Sequence, residues 1–185
     1  MFCTFITSKA FQRVNLIFRT FTSRDVSNLF RAYCTYVRPL LEYNSVIWSP
    51  LKMCDIRRVE SVQWKFTKRL PGYRDLSYAD RRKLLELDTF EQRRLKFDLV
   101  MCYIIVFGLV KLGFSEFFVT ALVTITRGHP YRLFINFARY GVREDFFAKR
   151  VVIYWNYLPA DFNFSSVNCF KRNLNKIDFT DFLIG

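Results

Sequence analysis

The sequence predicts a mainly α-helical protein: an irregular bundle of six or seven short helices, with at most one short strand or hairpin near 131–142. Three observations lead there. Gly and Pro are scarce, at 6 and 5 in 185 residues, which argues against a turn-rich sandwich or barrel. Apolar residues recur at three- and four-residue spacing through most of the chain. Hydroxyl side chains repeatedly stand three positions before a carboxylate or carboxamide, the pattern of a helix start. With 51% hydrophobic residues, 22 of them Phe, core material is ample. A chain of this length buries roughly two thirds of its unfolded surface.

Four regions are expected: an N-terminal segment over 1–20, a helical region over 21–108, an irregular connector over 109–142 and a C-terminal helical region over 143–185. Thr22-Ser23-Arg24-Asp25 matches a capping box, and the stripe Val26, Leu29, Phe30, Tyr33, Val37 follows it. Pro39 breaks that helix, because the residue before a proline is pushed out of helical geometry. A shorter helix then runs through Leu40, Leu41 and Tyr43 to Trp48, closed by Ser49-Pro50.

Asp55 is placed to cap the next helix, whose inward stripe is Ile56, Val59, Val62 or Gln63, Phe66 and Leu70, stopped by Pro71-Gly72. Ser77-Tyr78-Ala79-Asp80 opens a helix through Leu84, Leu85 and Leu87. Thr89-Phe90-Glu91-Gln92 opens a longer one reaching Gly108. Its first half is charged and its second apolar all round, so the charged end is expected at the surface. Tyr131–Phe137 has the bias of a short strand. The last helices carry Phe147, Val151, Tyr154, Trp155 and Leu158, then Val167, Phe170, Leu174 and Ile177 behind a Ser165 or Ser166 cap.

Charge narrows the function. Lys and Arg number 29 against 16 Asp and Glu, a net of +13, which favours polyanionic partners. The excess is spread along the chain, so a folded body with basic faces is expected rather than a basic tail. Five scattered cysteines with no CxxC pair, and one histidine, point away from disulfides and zinc and towards a reducing compartment. No secretory signal is expected, since Met1–Thr7 lacks a basic n-region and is too short for a full apolar one. An intracellular place, nuclear or cytoplasmic, is expected. The apolar run Leu99–Val110 is twelve residues, and extending it to Ile125 includes Lys111, Gly113 and Glu116. A buried helix is expected there rather than a membrane span.

No catalytic constellation is evident. His129 sits in a Gly-His-Pro turn, where a backbone-bonded structural role is expected. The chain has neither a GxSxG elbow nor a phosphate-cradling glycine loop. Nucleotidyl transfer needs clustered carboxylates to hold paired metals about 4 Å apart. Here Glu144-Asp145 is the one adjacent acidic pair, and a helix start accounts for it. No catalytic residue, metal, cofactor or small-molecule substrate is expected.

The informative face lies on the Asp55–Leu70 helix. With its apolar stripe inward, the other side shows Arg57, Arg58, Ser61, Trp64, Lys65, Lys68 and Arg69. The expected nucleic-acid contacts are Arg57, Arg58, Trp64, Lys65, Lys68 and Arg69: charges for phosphates, and a ring for a base or sugar. Arg81-Arg82-Lys83 and Arg93-Arg94-Lys96 are weaker candidates, because neighbouring carboxylates offset them.

Seven stretches share an order and spacing with a known family. They are Thr20–Asp25 (TFTSRD), Tyr36–Tyr43 (YVRPLLEY), Val46–Pro50 (VIWSP), Ile56–Arg69 (IRRVESVQWKFTKR), Leu76–Tyr78 (LSY), Thr126–Tyr131 (TRGHPY) and Phe146–Pro159 (FFAKRVVIYWNYLP). Together, from about Ser8 onward, the chain resembles the C-terminal part of jockey-like non-LTR retrotransposon reverse transcriptases, which are RNA-directed DNA polymerases. The resemblance implies the helical thumb and the segment after it, lying against a template–primer of RNA or RNA–DNA duplex. Nothing here matches the fingers, the palm with its Phe/Tyr-x-Asp-Asp motif, or the family's endonuclease, so a non-catalytic role is implied. Trp64 stands where the family carries a polar or basic residue, so stacking by that ring is not implied by the resemblance. An alternative is a protein-interaction remnant, in which Phe146, Phe147, Tyr154 and Trp155 leave apolar surface for self-association. A translated genomic relic with no selected role is the third reading.

Overall fold

The computed structural model describes residues 2–50, 52–120, 128–134 and 146–183. The fold is all-α. In chain order the helices are α1 (Phe2–Thr20), α2 (Val26–Tyr36), α3 (Arg38–Glu42), α4 (Ser45–Trp48), α5 (Met53–Lys68), α6 (Tyr78–Leu84), α7 (Phe90–Val106), α8 (Phe114–Phe117), α9 (Phe147–Tyr157) and α10 (Val167–Leu174), with a 3-10 turn at Thr180–Phe182. Among the described residues seven helices run for seven residues or more and no strand forms. Of the stretch expected to hold a short strand, the described residues 131–134 carry one isolated antiparallel bridge, between Thr120 and Leu133. Residues 135–142 and the Glu144-Asp145 pair lie outside the described residues. Two compact units result, Met1–Arg93 together with Leu183–Gly185, and Arg94–Phe182.

The helix starts follow local chemistry. Ser77 Oγ accepts from Asp80 N at 3.2 Å. Thr89 and Gln92 form a full capping box: Thr89 Oγ1 accepts from Gln92 N, and Gln92 Oε1 accepts from Thr89 N, both at 3.1 Å. Ser166 caps α10 by accepting from Cys169 N. Two expected starts shift. Asp25, not Thr22, is the N-cap of α2 and accepts from Asn28 N at 2.9 Å, since an aspartate competes well for that position. Met53 opens α5, which leaves Asp55 inside the first turn and 3.2 Å from Arg58 rather than at the cap.

α7 ends in a Schellman motif. Gly108 N donates to Ile105 O and Leu109 N to Ile104 O, with Gly108 at φ +63°, a conformation that glycine adopts without penalty. The apolar run therefore stops as a helix at Val106. Among the described residues no helix is long and apolar enough to cross a membrane.

In the first unit, α1, α2, α3 and α5 enclose one core. Ala10, Val14, Ile17 and Phe18 of α1 meet Leu29 and Tyr33 of α2, and Val59, Val62 and Phe66 of α5. Tyr33 stacks on Phe66 with centroids 4.2 Å apart, a contact worth about 1 kcal/mol beyond its buried area. A polar hub sits beside this core. Glu60 accepts from the Tyr78 hydroxyl and, at 2.9 Å, from Phe90 N at the start of α7. Gln63 donates to the Tyr78 oxygen and to Asp88 O, both at 3.1 Å. Burial, then the Glu60 charge, raises the Tyr78 phenol far above its ordinary value, so Tyr78 remains a donor.

In the second unit, α9 and α10 bury Val151, Trp155, Phe170 and Leu174. Trp155 contacts Phe164 and Phe170 at 5.5 and 5.8 Å. His129 bonds backbone at both ring nitrogens: Nδ1 accepts from Tyr131 N at 3.2 Å and Nε2 lies 2.8 Å from Trp155 O. That pairing requires the neutral tautomer with its proton on Nε2. Asn156 pairs with both backbone groups of Leu133, at 2.8 and 2.9 Å. The Gly-His-Pro-Tyr turn is thus fastened to α9.

The charged first half of α7 is not the solvated end that its composition suggests. Asp98 and Arg94 are both buried, and Asp98 takes a two-bond ion pair from Arg150 at 2.7 and 3.0 Å. Burial raises the Asp98 carboxyl from its ordinary value, against the pull of Arg150.

Candidate functional site

α5 turns its apolar stripe inward as its periodicity predicts. Ile56, Val59, Val62, Gln63, Phe66 and Leu70 are all buried, while Arg57, Arg58, Trp64, Lys65, Lys68 and Arg69 are all exposed. α1 packs alongside, and between the two helices runs a groove of about 430 Å³. Its walls are Phe11, Val14 and Asn15 from α1 and Trp64, Lys65, Lys68 and Arg69 from α5. A second groove of about 600 Å³ shares Lys68 and Arg69, and extends past Phe18 to Arg24 and to Leu70, Pro71, Gly72 and Arg74. Gly72 adopts φ +79°, which lets the chain turn sharply after α5 and bring Arg74 to this surface.

Five cations therefore line the joined grooves: Arg24, Lys65, Lys68, Arg69 and Arg74. Among the described residues that line them there is no carboxylate. The field in such a concave, one-sign site favours an anion.

The cations are positioned rather than merely present. Lys65 Nζ lies 4.5 Å from the Phe11 ring centroid, and Lys68 Nζ lies 4.9 Å from that of Trp64. Arg69 donates to Asn15 Oδ1 at 2.7 Å while its guanidinium covers Phe18 at 4.2 Å. These contacts hold flexible side chains over aromatic faces, each contributing about 0.5–1 kcal/mol at an exposed site.

Arg81 supports the site from behind. It is 2% exposed and donates to Trp64 O at 2.9 Å, Thr67 Oγ1 at 3.1 Å and Ser77 O at 3.4 Å. Its guanidinium also lies 5.4 Å from the Trp64 ring centroid. Burial lowers its pKa from the usual guanidinium value, but a group that starts so high stays charged at neutral pH.

Of the six residues expected from the sequence, the fold gathers Trp64, Lys65, Lys68 and Arg69 around one groove. It leaves Arg57 and Arg58 outside that lining. Arg58 is turned to Asp55 Oδ1 at 3.2 Å and Thr4 Oγ1 at 2.9 Å. Phe11, Asn15, Arg24 and Arg74 are additions that only the folded chain reveals, and Arg81, a weaker candidate in the sequence, serves from the buried side rather than on the exposed face.

The C-terminal aromatics are placed differently from the self-association expectation. Phe147 and Trp155 are buried, and Tyr154 packs edge-on against Phe182 at 5.3 Å. Of the four, only Phe146 is largely exposed, at 65%. Among the described residues no three His, Cys, Asp or Glu side chains gather as a metal site requires. Compared with known proteins, the chain matches no family model, no curated protein and no solved structure.

Proposed function

We propose that this protein binds nucleic acid, RNA or RNA–DNA duplex, through the cationic grooves along α5, without catalysing a reaction itself. The observation that carries the reading is the convergence of five cations from α5 and two turns on a concave surface with no carboxylate among its described lining residues. A surface that grips phosphates in this way binds mainly by releasing counterions. The resemblance to the thumb and post-palm region of jockey-like non-LTR reverse transcriptases supports the same role, since a thumb lies against a template–primer. On that reading the chain is a retrotransposon-derived, intracellular fragment, and chemistry on the nucleic acid belongs to a palm.

A gel-shift or anisotropy titration across a salt series tests this. Five neutralised phosphates on a duplex give a log–log slope of about −4.5. Absent binding, or binding indifferent to salt, sinks the reading.

A second reading, self-association, is favoured by one observation. Ile153 and Tyr157, four residues apart on α9, are 52% and 48% exposed, and Phe146 at the N-cap of that helix is 65% exposed. Together they leave exposed apolar surface at and along α9. Light scattering at rising concentration decides it, and a monomer throughout removes this reading.

A further inference from the structure

We infer that the groove between α1 and α5 receives an unpaired nucleobase, so that the protein prefers a strand carrying an unstacked base to the same phosphates without one. This rests on the nucleic-acid-binding reading and names its ligand more narrowly.

The lining chemistry leads there. Phosphate binding alone needs only cations, yet this groove sets an aromatic ring on each wall, Phe11 from α1 and Trp64 from α5, above the buried Val14. In a fully paired duplex the base faces are stacked inside, and the outer surface offers phosphates, sugars and base edges. Such a duplex offers the rings only sugar edges and no base face to stack on. A flat base with an anionic backbone on either side uses both the rings and the cations at the rim. Stacking of this kind tolerates any base, because every base has a π-face.

The site is also prepared for that ligand. A volume of about 430 Å³ lies in the range of pockets for small ligands, room for a base and its sugar. Arg81, anchored on the Trp64 carbonyl oxygen, fixes that residue from within, so little ordering remains when a base stacks. Lys65 and Lys68 wait over the two rings, each able to exchange a ring face for a phosphate as the base enters. Asn15, whose oxygen is held by Arg69, keeps its amide donors for the polar edge of a base.

Two labelled RNA–DNA duplexes with single-stranded extensions of equal length test the inference by anisotropy. One extension carries ordinary nucleotides and the other abasic residues, so their phosphates are identical. The protein should bind the base-bearing extension about tenfold more tightly, the size of one stacking contact. Trp64→Leu should erase that preference while keeping the salt slope, and Trp64→Phe should retain most of it. Trp64 is at the surface, and circular dichroism checks that both variants keep the fold. Equal binding of the two extensions, or a preference that survives Trp64→Leu, overturns the base pocket while leaving phosphate binding intact. Loss of all salt-dependent binding overturns both readings.

Discussion

Removing Lys65 and Lys68 together separates phosphate gripping from every other source of affinity. Each ammonium rests over an exposed or half-buried ring and neither is tied to a carboxylate in the groove, so both can turn to phosphates. Each phosphate neutralised on a duplex contributes about 0.9 to the slope of log K against log salt. Five cations then give a slope of about −4.5 on duplex, and Lys65→Ala/Lys68→Ala leaves about −2.7. At roughly 0.15 M salt the lost 1.8 of slope corresponds to binding weaker by about 30-fold, shrinking towards equality near 1 M. The fold should survive, since each lysine forfeits only an exposed cation–π contact of about 0.5–1 kcal/mol. Arg69 is a poorer choice, because its bond to Asn15 and its cover over Phe18 would confuse stability with binding. The assay is anisotropy of a labelled RNA–DNA duplex over a salt series. Lys171→Ala/Lys176→Ala, exposed on α10 and in the turn just after it, serves as a control of equal net charge. Parallel lines for the α5 variant and the wild type would refute the reasoning. So would an equal loss of slope in the α10 control.

Three further outcomes follow from the packing. Glu60→Ala strands the Tyr78 hydroxyl and Phe90 N and removes a negative charge from the start of α7, a loss of about 3–5 kcal/mol in unfolding titrations; a change below 1 kcal/mol would mean the hub is solvated. His129 is the only histidine, and burial lowers its pKa, with the Trp155 carbonyl opposing. A base with a lowered folded pKa stabilises fully above the unfolded value of about 6.5 and loses that stability as pH falls towards the folded value, by at most about 1.4 kcal/mol per pH unit. Asp98, raised by burial, acts with the opposite sign, so the comparison that isolates His129 is stability against pH for wild type and His129→Gln, which should be flatter between about pH 7 and 5. Glu86 sits at φ +51° just after α6, so Glu86→Gly should raise the melting temperature by relieving a left-handed side-chain clash of about 1 kcal/mol, and a fall in melting temperature would contradict it.

Much of this fold is legible in the sequence, because its helix starts are written in local chemistry. Ser77, Thr89 and Ser166 cap where their spacing says they should, and α2, α5 and α9 bury their periodic stripes. The longest helix, α1, has no such signature. Its apolar residues lie all round it, with Leu16 and Phe5 more than half exposed beside the buried Val14 and Ile17, so no single stripe stands out. Because α1 forms one wall of the groove, Phe11 and Asn15 were beyond reach of periodicity. Arg81 was legible as a cation but not as a buried support. Its helix shows Leu84 as the natural inward residue, yet Leu84 is 62% exposed and the guanidinium is buried, since carbonyl oxygens of α5 and of the turn before α6 are there to receive it. Arg24 and Arg74 lie in turns, where only the closed fold can bring them beside Lys68.

The central claim is that polyanions settle in the grooves lined by Lys65 and Lys68. Lysine acetylation read by mass spectrometry, with and without an RNA–DNA duplex at low salt, tests it most directly. Bound duplex should slow labelling of Lys65 and Lys68 severalfold and leave Lys171 and Lys176 of the second unit unchanged. Uniform slowing of all four, or protection confined to Lys171 and Lys176, would place the contact elsewhere and contradict the account.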